Sequence, residues 1–90
     1  MANHQSALKR IRQNKKLREH NRVYRNRART LVKKARTELE NEDVDAARDA
    51  VMKAVRDLDK TASRGVIHPR NAARRKSRLM KQLAELEKES

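Results

Sequence analysis

The chain has 90 residues, with 25 Lys or Arg against 12 Asp or Glu for a formal net charge of +13, 36% hydrophobic residues, one Tyr as its aromatic content and no cysteine. That length allows one small domain (1–90) with a thin core, and the lack of cysteine excludes disulfides and thiolate metal sites while fitting a reducing interior. A lone Tyr without Trp or Phe argues against the aromatic platforms of single-strand binders, so recognition falls to charge and shape, with nucleic acid as the first partner to consider.

Residues 1–4 read as a loose arm, with Asn3 or Ser6 available to cap a first helix. From 5 to 41 nothing interrupts a helix: residues 1–36 hold thirteen Lys or Arg against one acid, Glu19, and no Gly or Pro. The lower half of this helix carries an apolar stripe, Tyr24, Ala28, Leu31, Val32, Ala35 and Leu39, at the spacing of one helical face. The upper half has almost none, since above Tyr24 only Leu17 falls on that line. It has nothing to bury against a protein core, and a polyanion is its natural partner.

At Glu38 the charge reverses sign, and Asn41 to Asp43 break the helix. Asp43 is suited to cap a second helix over 44–64, whose stripe is Val44, Ala47, Val51, Ala54, Val55, Leu58 and Ala62. Gly65 fits the left-handed position that ends it. Pro69 fits the first turn of a third helix over 69–88, with His68 as a poor cap before it and Ala72, Leu79, Leu83 and Leu86 turned inward, Met80 at the edge. Short connections make successive helices antiparallel. The expected fold is therefore all-α, an antiparallel three-helix bundle with a long N-terminal helix protruding beyond it.

Helix lengths carry a consequence. A second helix of about 20 residues covers roughly 30 Å, only the lower half of a first helix about 55 Å long, so about 25 Å of basic rod stands free. The same topology gathers Glu38, Glu40, Glu42, Asp43, Asp45 and Asp49 with Glu85, Glu87 and Glu89 at one pole. By segment the net charge is +12 over 1–37, −4 over 38–60 and +5 over 61–90. Such a molecule approaches a polyanion basic end first.

Arg18, Arg22, Arg25 and Arg29 recur every three or four residues along one flank. Solvated faces interleave acids for local pairing and this one does not, which favours phosphate binding over a merely solvated surface. On the third helix Arg70, Arg74, Arg78 and Lys81 share the exposed face, whereas Arg75 and Lys76 lie nearer the buried edge, divided between phosphate contact and packing of their stems. Asn14, Asn21, Asn26 and Asn71 divide in the same way between sugar or phosphate contact and plain surface. His4, His20 and His68 are too scattered for a metal set. The acids have no apolar pocket to shift a pKa, Ser and Thr lack a His and acid grouping, and one glycine excludes a phosphate-binding loop, so no enzyme, cofactor or small-molecule substrate is expected.

The opening Ala2-Asn3 with Ser6-Ala7, then Lys9-Arg10, Arg29-Thr30 with Lys33-Lys34, and above all Gly65 to His68 leading into Asn71 to Arg74 and Lys76 to Leu79, resemble one family across essentially the whole chain. It is that of the bacterial small-subunit ribosomal protein conventionally numbered twenty. Pro69 departs from the pattern, which has a basic residue there. The resemblance implies a three-helix bundle that binds small-subunit ribosomal RNA directly and early in assembly, in the cytoplasm, with neighbouring ribosomal proteins as further partners it allows. The candidate RNA contacts are Lys9, Arg10, Arg12, Lys15, Lys16, Arg18, Arg22, Arg25, Arg29 and Lys33 on the first helix, and His68, Arg70, Asn71, Arg74, Arg75, Lys76 and Arg78 at the start of the third.

Two other readings share the charge. A DNA-compacting basic helical protein is one, although a basic zipper would carry apolar heptads where this chain turns at Asn41. A membrane-surface helix is the other, and it needs a bulky apolar face that the first helix lacks above Tyr24.

Overall fold

The computed structural model describes residues 2–89, and they form three helices with no strand among them: α1 Ala2–Glu40, α2 Val44–Ser63 and α3 Pro69–Glu89. The molecule measures 68 × 20 × 13 Å, a long axis set by the 39 residues of α1, about 58 Å at helical rise. With 20 and 21 residues, α2 and α3 reach only about half as far. Every side chain from His4 to His20 is exposed, and burial begins at Asn21 and Tyr24.

Several helix boundaries correct the sequence reading. Instead of a loose arm over 1–4, the chain is helical from Ala2, so Asn3 and Ser6 lie within the helix rather than capping it, and Met1 falls outside the described residues. The residues from Ala2 to Ser6 include no Gly or Pro to stop a helix from extending by another turn. α1 ends at Glu40 rather than 41, α2 ends at Ser63 rather than 64, and α3 runs one residue further than expected, to Glu89.

The two turns are built from residues whose chemistry suits them. Asp43 takes extended backbone angles and its side chain accepts the Ala46 N–H at 3.3 Å, satisfying one orphan donor of α2. At the other end Gly65 has φ +75°, the Gly65 N–H bonds the Ala62 carbonyl and the Val66 N–H bonds the Thr61 carbonyl, both at 3.0 Å. That pair of bonds is a Schellman closure, which needs the left-handed residue that glycine supplies at least cost. Between α1 and α2 the left-handed residue is Glu42, φ +60°, although Asn41 beside it tolerates that region better.

The core lies between the lower half of α1 and the two short helices. Ala28, Val32 and Ala35 from α1 meet Ala47, Val51, Ala54, Val55 and Leu58 from α2 and Ala72, Leu79 and Leu83 from α3. Alanine at so many of these positions lets the helices approach closely at the expense of buried area. Leu31, Leu39, Ala62 and Leu86, expected inside, are partly buried at the margin. Two polar residues go inside in a way the apolar stripe did not foretell. Thr61 is fully buried, its hydroxyl donating to the Asp57 carbonyl at 2.6 Å, and Asp57 is 6% exposed. Asp57 Oδ1 lies 3.3 Å from Arg27 Nε, while Oδ2 has no hydrogen-bond partner.

Candidate nucleic-acid interface

A helix places successive side chains about 100° apart, so residues three and four apart form one line. Lys15, Arg18, Arg22, Arg25, Arg29, Lys33 and Arg36 are such a line, all exposed, over about 32 Å of α1. Its upper part runs along the free rod. Its lower part meets α3, where Arg29, Val32, Lys33 and Arg36 face Arg74, Arg75 and Arg78 across a groove of about 500 Å³. Six cations and no acid line that groove, and none of the six forms an ion pair among the described residues. Like charges brought this close raise the energy of the free protein and are relieved by an anion between them.

The acids lie elsewhere. Glu40 at the end of α1 and Glu42 in the turn after it line a second cavity with Glu85 and Glu89 from the end of α3, together with Arg36. Arg48 Nε bonds Glu87 Oε1 at 3.1 Å in the same region. This is the acidic pole expected from the topology, and it leaves the rod at the opposite end strongly basic, with Glu19 as its one acid.

Lys9, Arg10, Arg12, Lys15, Lys16 and Arg18 all stand exposed on the rod, and Arg22 and Arg25 where it joins the bundle. At the start of α3 the candidates separate. Arg70 is exposed, and Arg74 donates to the Oδ1 of Asn71 at 3.1 Å, so Asn71 steadies a cation besides offering its own amide. His68 Nδ1 accepts the Arg70 N–H at 3.1 Å and its carbonyl accepts from Asn71 and Ala72. It therefore caps α3 with its ring, better than a sequence scale would allow. Of the two residues the sequence left divided, Arg75 joins the groove and Lys76 turns away, its Nζ 3.2 Å from Asp59 on α2. Lys76 is a bundle contact in this structure because α2 places a carboxylate beside it. Arg36, absent from the candidates on sequence, belongs to the groove, and its spacing of seven from Arg29 was the available signal.

The membrane-surface reading finds no support in the rod. Ile11, Leu17 and Val23 are exposed by 62%, 56% and 65% but each lies six residues and so about 240° round from the one before, on three different faces. No described helix is long and apolar enough to cross a membrane, and no metal-binding group of His, Cys, Asp or Glu occurs among the described residues.

The family model described as Ribosomal protein S20 matches residues 2–84. The chain is 49% identical over 81 residues to the small ribosomal subunit protein bS20 of Geobacter sulfurreducens, covering 90% of this chain and 93% of that one. It is 52% identical over 81 residues to the protein of the same name from Coprothermobacter proteolyticus, covering 90% and 92%, and 46% identical over 88 residues to that of Thermomicrobium roseum, covering 98% and 89%.

Proposed function

The chain belongs to the ribosomal protein S20 family, and from that premise we propose that it is a structural component of the bacterial small ribosomal subunit that binds small-subunit ribosomal RNA directly and stabilises its folding during assembly. It works in the cytoplasm, as part of the ribosome, and has no catalytic role. The observation that carries the RNA contact is the groove between α1 and α3, where six unpaired cations converge with no carboxylate among them. A groove of that kind takes up phosphates, and the line of arginines that leads out of it along the rod follows a second stretch of backbone.

The mechanism is one of charge and shape. Two RNA segments that repel one another are brought together when one lies along the rod and the other enters the groove, because both then share a rigid array of cations. The bundle supplies rigidity and the acidic pole orients the approach. Affinity depends on released counterions, so its logarithm falls against the logarithm of salt with a slope of about −0.7 to −0.9 per phosphate neutralised.

Chemical footprinting of small-subunit ribosomal RNA with and without the protein tests this reading. Protection of two separate backbone segments is expected, together with a steep salt dependence. A flat salt dependence, or competition by duplex DNA as strong as that by the ribosomal RNA, would show that the proposal is wrong.

A further inference from the structure

Composition argues against base stacking, because Tyr24 is the only Tyr, Trp or Phe in the chain. The fold nevertheless assembles three flat groups where α1 leaves the bundle. His20 lies one turn above Tyr24, with ring centroids 4.7 Å apart and 68° between planes. From the end of α2, Arg64 brings its guanidinium carbon to 4.5 Å from the Tyr24 ring centroid, and its Nη1 donates to the Tyr24 hydroxyl. Tyr24 is half-buried, whereas His20 and Arg64 are exposed.

This cluster does more than close the top of the bundle. Arg64 has no ion pair among the described residues, so its charge is not consumed by a carboxylate, while the ring and hydroxyl hold its side chain in place. Unpaired bases stack on aromatic rings and on guanidinium planes, and holding those planes before binding lowers the entropy lost on contact. Arg22 and Arg25, beside Tyr24 in sequence and exposed, place cations within a turn of the cluster for the phosphates on either side of such a base. A lone Tyr in a basic flank does not by itself mark a stacking site in the sequence. Only the return of α2 to Tyr24 does.

We infer that His20, Tyr24 and Arg64 form a stacking site for one unpaired RNA base, an inference that rests on the RNA-binding reading above. The base stacks on the guanidinium that Tyr24 holds in place, with the His20 ring, inclined 68° to Tyr24, as a wall beside it. Stacking tolerates any base, so the site selects unpaired over paired nucleotides rather than one letter over another.

Tyr24 is the sole Tyr and there is no Trp, so its intrinsic emission reports this site. The probes are a riboadenylate hexamer and an abasic ribose-phosphate hexamer, titrated into the full chain. The adenylate is expected to change Tyr24 emission saturably and to bind about tenfold more tightly than the abasic strand. His20→Ala combined with Arg64→Lys keeps the Arg64 charge and removes both planes. It should abolish that tenfold preference and leave abasic binding within about twofold. Equal binding of the two oligomers to the unaltered chain overturns the stacking site alone, as does a double variant that retains the preference. Failure of both oligomers to bind overturns the stacking site, while the RNA-binding reading is decided separately by the footprint on small-subunit ribosomal RNA.

Discussion

The upper and lower halves of α1 are made of much the same residues and meet opposite fates. Above Asn21 the helix is a solvated rod whose exposed Leu8, Ile11 and Leu17 share no face broad enough to pack. Below it, apolar residues recur on one face, and a few small side chains, Ala28, Val32 and Ala35, suffice to dock two further helices. The difference teaches that the placement of apolar residues, more than their number, decides which part of a charged helix becomes protein core and which becomes ligand surface.

The largest expected effect lies in the core that the lower half docks against. Leu58 is fully buried in the C-terminal half of α2, and Leu58→Ala should destabilise the bundle by about 2–5 kcal/mol in urea unfolding. Leu17→Ala on the rod, 56% exposed, should change stability by less than about 0.5 kcal/mol. Equal losses at the two positions would break the division of the helix proposed here.

A second comparison sets the groove against the rod. Replacing Arg29, Arg36, Arg75 or Arg78 by Gln should make the salt slope of RNA binding less negative by about one for each phosphate contact removed, with circular dichroism unchanged. Lys9→Gln, Arg12→Gln and Lys16→Gln extend the measurement to the tip of the rod. Slopes that respond only to the groove set would restrict the interface to the bundle.

A smaller effect concerns the pair at the boundary between α1 and α2. Arg27→Ala leaves the buried Asp57 carboxylate without its one cation and should cost about 1–2 kcal/mol, whereas Asp57→Ala also removes the orphaned Oδ2 and should cost less. Urea midpoints of the two variants measure that asymmetry. The smallest effect has the opposite sign: Glu42→Gly relieves a left-handed residue, φ +60°, and should raise stability by about 0.5–1 kcal/mol in thermal unfolding.

Much of this molecule was legible before its fold was known, and for local reasons. Asp43 as a cap, Gly65 as a left-handed stop and Pro69 in the first turn are properties of single residues and their backbone, so they can be read one at a time. The burial of Asp57 and Thr61 was not legible, because a polar residue on a core face goes inside only when a partner is supplied, and Arg27 and the Asp57 carbonyl are brought to it by packing and by the helix itself. The ion pair of Lys76 was not legible for the same reason, since only the approach of α2 reveals Asp59 beside it.

What the residues determined by themselves was periodicity and net charge: three helices, one too long for its partners, and a cationic rod left over. Tertiary structure decided which cations remain free, by carrying carboxylates to some and none to others. It also gathered one cluster of planar groups, His20, Tyr24 and Arg64, from residues up to 44 positions apart in sequence. Helical faces follow from local spacing, whereas ion pairs and grooves depend on distances that exist only after the chain has turned back on itself.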